Sequence, residues 1–213
     1  MREFFSVYGG MLVRAVGVHI VYVLVSVAVG FVLGLALGVL LSRAPSWSGV
    51  LLPLVSVLQT IPGLVFIGVL FLWLGMRPAT AIIALSIYAM FPVLKNTYTG
   101  VLSVEPKYLE AARGCGMSPL QALWQVELPL AMPTIVAGLR MSAIYTVSWT
   151  VLAAMIGLGG LGTFVYQGVS SNNHALIIAG AVPAAVLAVV IGALIDLLQK
   201  KVTPRGMRKG GGK

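Results

Sequence analysis

The residues able to do acid–base, metal or nucleophilic chemistry are few. They are five acids (Glu3, Glu105, Glu110, Glu127 and Asp196), two histidines (His19 and His174) and one cysteine, Cys115. No group of them has metal-ligand spacing, and no nucleophile–base pair is visible. The histidines are isolated and read as interfacial residues. Cys115 has no partner for an internal disulfide. Gly157, Gly159 and Gly162 spell the dinucleotide fingerprint, but that motif needs a preceding strand and an acid ~20 residues on. Here a membrane-length apolar run precedes it and the next acid is Asp196. It reads as a flexible turn. Gly206 to Lys213 lacks the Lys spacing and the following Ser or Thr of a phosphate loop. No metal, cofactor or ATP site is expected in the chain, and no catalysis.

What remains is recognition. Ser142, Tyr145, Thr146, Trp149, Thr150 and Ala153 recur at offsets of three and four, one polar-aromatic face of a helix. Such hydroxyls either bond across to other helices or line a translocation path. In the second case Tyr145 and Trp149 offer ring faces to a cationic solute. A second interruption of apolar sequence, Gln59-Thr60-Ile61-Pro62-Gly63, adds Gln59, Thr60 and Pro62 as path candidates. Pro62 removes a helix hydrogen bond there, giving either a simple kink or a gate. Non-helical backbone at membrane depth is tolerated only where protein or a water-filled cavity covers it.

The elements that position these residues are membrane spans. The chain has 213 residues, 59% hydrophobic and 9% charged, with mean hydropathy +1.03; soluble domains carry about a quarter charged residues. An all-α membrane protein of one domain and about five transmembrane helices is expected. Residues 1–15 read as an external interfacial segment, 16–199 as the transmembrane domain and 200–213 as a basic cytoplasmic tail. No cleavable signal peptide is evident. The spans fall near 16–41, 50–75, 78–94, 134–156 and 175–198. Lys95 and Asn96 close the third, and Pro129 and Pro133 hold the fourth apart from what precedes it. Gly30, Gly34 and Gly38 repeat every four residues, a small-residue stripe for close helix approach, either internal or between subunits.

Five spans place the termini on opposite sides, and positive charge orients them. Arg43, Lys95, Lys107, Arg113, Arg140, Lys200, Lys201, Arg205, Arg208, Lys209 and Lys213 collect on one side; Arg2, Arg14 and Arg77 collect on the other. Eleven against three puts the N-terminus outside and the C-terminus in the cytoplasm. The net charge of +9 is thereby a matter of topology and does not suggest nucleic acid. Lys95 and Arg140 read as snorkelling near cytoplasmic span ends, and Asp196 as pairing with Lys200 one turn later. All five acids lie outside the spans or at their ends, so the acidic relay of an ion-coupled carrier is missing. Energy for uphill transport would have to enter through another subunit.

On the cytoplasmic side lies the polar insert 105–133, with three of the five acids. Pro106 suits a first helical position. Gly114 and Gly116 suit a helix end with a left-handed cap. Ser118, Pro119 and Gln121 suit a second start with a capping box. The insert is either an ordered loop of no special role or a docking knob.

Glu110-Ala111-Ala112, Gly116, Val126, Leu128 and Pro129 resemble the EAA signature of ABC-importer permeases, with Val126 where the pattern has Ile. Further runs extend the resemblance from about His19 to Gly206: Gln59 to Pro62, Phe91 to Gly100, Glu110 to Met117 and Ile156 to Gly162. Together they look like the permeases of osmoprotectant uptake systems for glycine betaine, choline, carnitine and related quaternary amines. The resemblance implies the transmembrane domain of a type I importer, similar to that of methionine importers, in a bacterial cytoplasmic (inner) membrane. It implies a second permease subunit, identical or homologous, two ATP-binding subunits that hold ATP and Mg, and an external or periplasmic solute-binding protein. It also implies that Glu110, Ala111, Ala112, Gly116, Met117, Ser118, Pro119, Leu128 and Pro129 form the coupling contact with the ATPase. A methionine or other amino-acid importer shares the loop, and an ATP-independent channel or carrier is the rival from another class.

Overall fold

Length and apolarity dictate helices here, because only intra-segment hydrogen bonds satisfy a backbone in hydrocarbon. The computed structural model describes residues 2–154 and 157–203, and no strand occurs among them. Helix α1 spans Arg2–Ser42, α2 Pro45–Leu58, α3 Gly63–Leu74 and α4 Pro78–Leu102. Then come α5 (Pro106–Gly114), α6 (Pro119–Ala122), a π-helical turn (Leu123–Glu127), α7 (Leu128–Ala154), α8 (Leu161–Ser170) and α9 (His174–Val202). Four stretches are long and apolar enough to cross a membrane, or five if the bent pair α2–α3 counts as one span. The surface is apolar, as a bilayer requires: Leu72 and Trp73 on α3 are each 84% exposed.

Several boundaries differ from the sequence reading. No break separates the first residues from the first span: α1 runs unbroken from Arg2 to Ser42, about 61 Å at 1.5 Å per residue. Its first turns are held by Tyr8 and Leu12, which pack beside Leu161 and Phe164. His19 is fully buried rather than interfacial. Helix α4 continues past Lys95 and Asn96 to Leu102.

Pro129 and Pro133 do not end the helix they were expected to break, since 119–154 forms one continuous helical stretch. A proline clashes with the carbonyl four residues back. The π turn just before Pro129 widens the ladder there, with Leu128 N–H donating five residues back to the Leu123 carbonyl. Helix α8 was not anticipated; at ten residues it is about 15 Å long, too short to cross. Ile156 and residues 204–213 of the expected tail lie outside the described residues.

The core is built on α4 and α7. The glycine stripe of α1 lies on α4: a Cβ on Gly30 would stand 2.7 Å from the Ala89 Cβ, one on Gly34 2.6 Å from the Met90 carbonyl oxygen, and one on Gly38 2.6 Å from the Thr97 Cβ. The stripe therefore serves an internal contact. Gly138 of α7 approaches α4 likewise, at the Pro92 carbonyl and Asn96. Helix α9 packs on α7 through Leu187, Ala188, Ile191 and Ile195.

Contacts also order the two ends. Arg43 after α1 meets Glu127, and Gln199 near the end of α9 donates to the Pro133 carbonyl. At the other end Met76 approaches Gly157, and His19 approaches Gly160. Successive spans thus alternate in direction, and the start of α1 and the end of α9 fall at opposite ends.

Gly34→Leu drives a side chain into the α4 backbone and is expected to destabilise the fold by about 2 kcal/mol. Thermal unfolding of the detergent-purified protein reads this, with Gly17→Ala, which meets nothing within 4 Å, as the neutral control.

Candidate functional site

The water-side insert has the helix–turn–helix build its sequence predicts. Glu105 caps α5 in an extended conformation and Pro106 takes the first position. The helix closes in a Schellman arrangement: Met117 N–H donates to the Ala112 carbonyl at 3.0 Å and Gly116 N–H to the Arg113 carbonyl at 2.9 Å. This closure puts Gly116 at φ +75°, a backbone state that glycine adopts without steric cost.

Ser118 then forms a full capping box. Its Oγ accepts from Gln121 N–H at 3.3 Å, and its own N–H donates to Gln121 Oε1 at 2.8 Å. Pro119 stands at the first position of α6. Ala112, Ala122, Glu127 and Leu128 are buried, Met117 and Pro129 half-buried, and Glu110, Ala111, Gly116, Ser118 and Pro119 exposed. The nine expected coupling residues are therefore not one contiguous patch: Ala112 and Leu128 hold the knob together while the exposed members present it. Lys107 pairs with Glu105 at 2.6 Å, and this bond raises the ammonium above its ordinary pKa.

Sequence reasoning missed Leu120 and Trp124, 65% and 63% exposed. They are four residues apart across α6 and the π turn, so they share a face. Large apolar side chains exposed on a water-side knob mark a contact surface. The spacing was readable; the exposure was not.

The path candidates divide sharply. At Gln59 to Pro62 the chain does not merely kink: α2 and α3 meet at 96°. The corner is tied down by Tyr88, whose hydroxyl donates to the Ile61 carbonyl at 2.7 Å. Tyr88 also stacks on Trp149, centroids 4.4 Å apart at 27°, and meets Phe66 edge-on at 5.2 Å. Trp149 lies so close over Gly63 that a Cβ there would collide with the ring. Glycine at 63 is what lets the broken span seat against α7.

Between these groups is a cavity of about 290 Å³ lined by Gln59, Tyr88, Pro92, Tyr145, Thr146 and Trp149. The structure so brings together four of the seven expected path residues and adds Tyr88 and Pro92. Thr60 is exposed and bonded to its own helix, at Val57, and Pro62 caps α3; neither lines the cavity.

Ser142, Thr146 and Thr150 are buried and their hydroxyls are spent inside the protein. Ser142 donates across to the Ala89 carbonyl, and Thr146 and Thr150 donate one turn back along α7, each at 2.7 Å. The interhelical reading holds for Ser142, and Thr146 contributes shape to the cavity rather than a free hydroxyl.

An uncharged cavity with tyrosine and tryptophan faces and one amide suits a weakly hydrated cation, which ring quadrupoles attract without a counter-carboxylate. The expected Asp196–Lys200 pair is replaced by a longer-range one: Arg140 Nε meets Asp196 Oδ1 at 2.8 Å. Arg140 stands twelve residues beyond Leu128, about 18 Å along α7, and its partner lies on α9. Gly157, Gly159 and Gly160 all take positive φ in the turn before α8, whereas Gly162 is helical and packs under the Val151 carbonyl.

Comparison with known proteins agrees with this geometry. The family model described as binding-protein-dependent transport system inner membrane component matches residues 30–208. The choline transport system permease protein OpuBB of Bacillus subtilis is 39% identical over 97% of this chain and 95% of its own length. The glycine betaine/carnitine/choline transport system permease protein OpuCB of the same organism is 38% identical over 98% and 96%. The osmoprotectant import permease protein OsmW of Salmonella typhimurium is 33% identical over 89% and 91%.

Among solved structures, an inward-facing MetNI methionine ABC transporter superposes with a TM-score of 0.82 at 25% identity, over 91% of this chain and 97% of that one. By family model and by near-full-length likeness, the chain belongs to the inner membrane components of binding-protein-dependent transport systems, the permeases of ABC importers.

Proposed function

We propose that this chain is the non-catalytic membrane subunit of an ATP-driven importer of quaternary-amine osmoprotectants such as glycine betaine, choline and carnitine. The observation that carries the reading is what α7 joins. Its lower end continues the capped, exposed knob 105–127, and its upper half supplies Tyr145 and Trp149 to the aromatic cavity. A rigid helix of 27 residues links a water-side docking surface to a solute-sized chamber. Near-full-length relatives named for choline, glycine betaine and carnitine support the substrate class.

In this reading two ATP-binding subunits hold ATP and Mg, a second permease completes the pathway, and a separate solute-binding protein delivers the solute outside. Closure of the ATP-binding pair moves the knob. Helix α7 carries that movement past the contact of its Gly138 with α4 to the cavity wall, and access alternates between the two sides. Trimethylammonium groups are held by dispersion and by ring faces, which need no desolvated carboxylate in the membrane.

Two expected outcomes test the two halves separately. Gly116→Pro demands a negative φ where the loop needs +75° and deletes the N–H that closes α5. Together with Glu110→Lys it should abolish solute-stimulated ATP hydrolysis in the reconstituted complex while the complex still assembles. For the cavity, Tyr145→Ala should lower uptake of a quaternary amine about tenfold, one ring–cation contact. Trp149→Phe should fall between wild type and Trp149→Ala. Unchanged uptake in all three variants would remove the cavity from the pathway; preferential uptake of methionine over betaines would move the chain to the amino-acid importers.

A further inference from the structure

Glu127 is the one acid buried in the protein among the described residues, 3% exposed, and nothing in the import reading uses it. It ends the π turn between the knob and α7. Its Oε2 accepts from Arg43 Nη2 at 2.5 Å. Arg43 follows the last residue of α1, and only Ala44 separates it from Pro45, where α2 begins. One ion pair therefore fastens the base of α7 to the α1–α2 corner.

We propose that Arg43 and Glu127 are positioning residues for coupling: the joint through which movement of the knob reaches the Gln59 side of the cavity. The proposal rests on the import reading and deepens it. Three elements line the cavity, and α4 supplies Tyr88 and Pro92 between the other two in sequence. Helix α7 carries Tyr145 and Trp149, and the knob moves it directly. Helix α2 ends at Leu58, and Gln59 just beyond it lines the opposite side. The knob has no covalent route to α2 except back through α4, α3 and the corner at 59–62. The ion pair supplies a short one.

Three features suit it to transmission rather than simple anchorage. A buried carboxylate left unpaired costs several kcal/mol, so the contact is kept as the parts move. The π turn beneath it is a local interruption of the regular ladder, where a helix yields most easily. The far end of the link is held in register, because the Tyr98 hydroxyl of α4 donates to Ser48 Oγ in the first turn of α2 at 3.2 Å. A shift of Glu127 is thus delivered to Arg43 and converted into a tilt of α2 about Ser48, which moves Gln59 against Tyr145.

The test uses the permease assembled with its ATP-binding and solute-binding partners, reading solute transported per ATP hydrolysed. A loss of folded protein lowers transport and stimulated hydrolysis together and leaves this ratio unmoved. Arg43→Met combined with Glu127→Leu replaces the pair by apolar contact of similar volume, a change that folds tolerate well. The expected result is normal assembly and melting temperature with the ratio lowered at least about fivefold, the low end of measured coupling effects.

Arg43→Lys, which keeps the charge, should retain most of the ratio, and Arg43→Gln should not. A wild-type ratio in the double variant, or equal ratios in Arg43→Lys and Arg43→Gln, overturns the proposal. If the double variant fails to fold, the Lys and Gln comparison at the half-exposed Arg43 decides alone. Gly116→Pro runs alongside. Should it leave coupling intact, the loop reading fails; should it uncouple while the Arg43 and Glu127 variants do not, only the joint fails.

Discussion

A backbone carbonyl or N–H in hydrocarbon has no water to bond, and that constraint governs the breaks between the spans described here. Where α2 gives way to α3, the freed Ile61 carbonyl is taken by the Tyr88 hydroxyl. Where α7 gives way to α8, the Leu158 carbonyl is taken by the Tyr22 hydroxyl at 3.1 Å. Beyond α3 the Gly75 carbonyl is taken by Thr80 Oγ1 at 2.9 Å. In the first two cases the donor comes from a different helix, so an interruption in one span is only possible because a neighbouring span is already in place. The breaks and the packing that covers them are one feature.

The same economy sorts the polar residues of α7. Ser142, Thr146 and Thr150 point at α4 or back along their own helix and are consumed as hydrogen-bond donors. Tyr145, on the next face round, is half exposed, and Trp149 lies between Tyr88 and Gly63. The buried face fixes where α7 stands against α4; the aromatic face is then free to shape a cavity. Small residues set the distances that make this work. Gly138 lets α7 close on α4, Gly63 lets the bent span close on Trp149, and the α1 stripe closes on α4 from the other side. A methyl group at any of these contacts would separate elements whose polar groups depend on touching.

Much of this was legible in sequence because it is local. The capping box at Ser118, the proline starts at Pro106 and Pro119, the left-handed Gly116 and the membrane-length apolar runs all follow from neighbours within a few residues. What sequence could not show depends on distant partners. Asp196 has Lys200 one turn away, yet bonds Arg140 on another helix. Pro129 and Pro133 look like helix stops, yet the π turn makes room at Pro129 and the helix runs on past Pro133. His19 looks like an interfacial residue, yet the Gly159-Gly160 turn folds over it. Of the cavity residues, Tyr145 and Trp149 were visible as a face, but Tyr88 and Pro92 were hidden in an apolar run whose orientation only the tertiary contacts decide. Helix α8 lacked a signal altogether: ten residues between a glycine turn and an asparagine cap resemble a loop until they find α9.

The placement of charge bears on where the driving force enters. A carrier powered by an ion or proton gradient needs an intramembrane group whose charge changes as the solute moves. Asp196, near the end of α9, is matched by Arg140 at 2.8 Å, so the pair presents no net charge to the pathway. Glu127 is likewise matched by Arg43. The aromatic cavity itself holds no ionisable carboxylate. Both acids are occupied in holding helices together, and Leu120 and Trp124 stand exposed on the knob. In the reading proposed above, force applied there would reach the cavity through α7 without any change of protonation, and an importer driven by a separate ATPase needs no titrating group beside its solute.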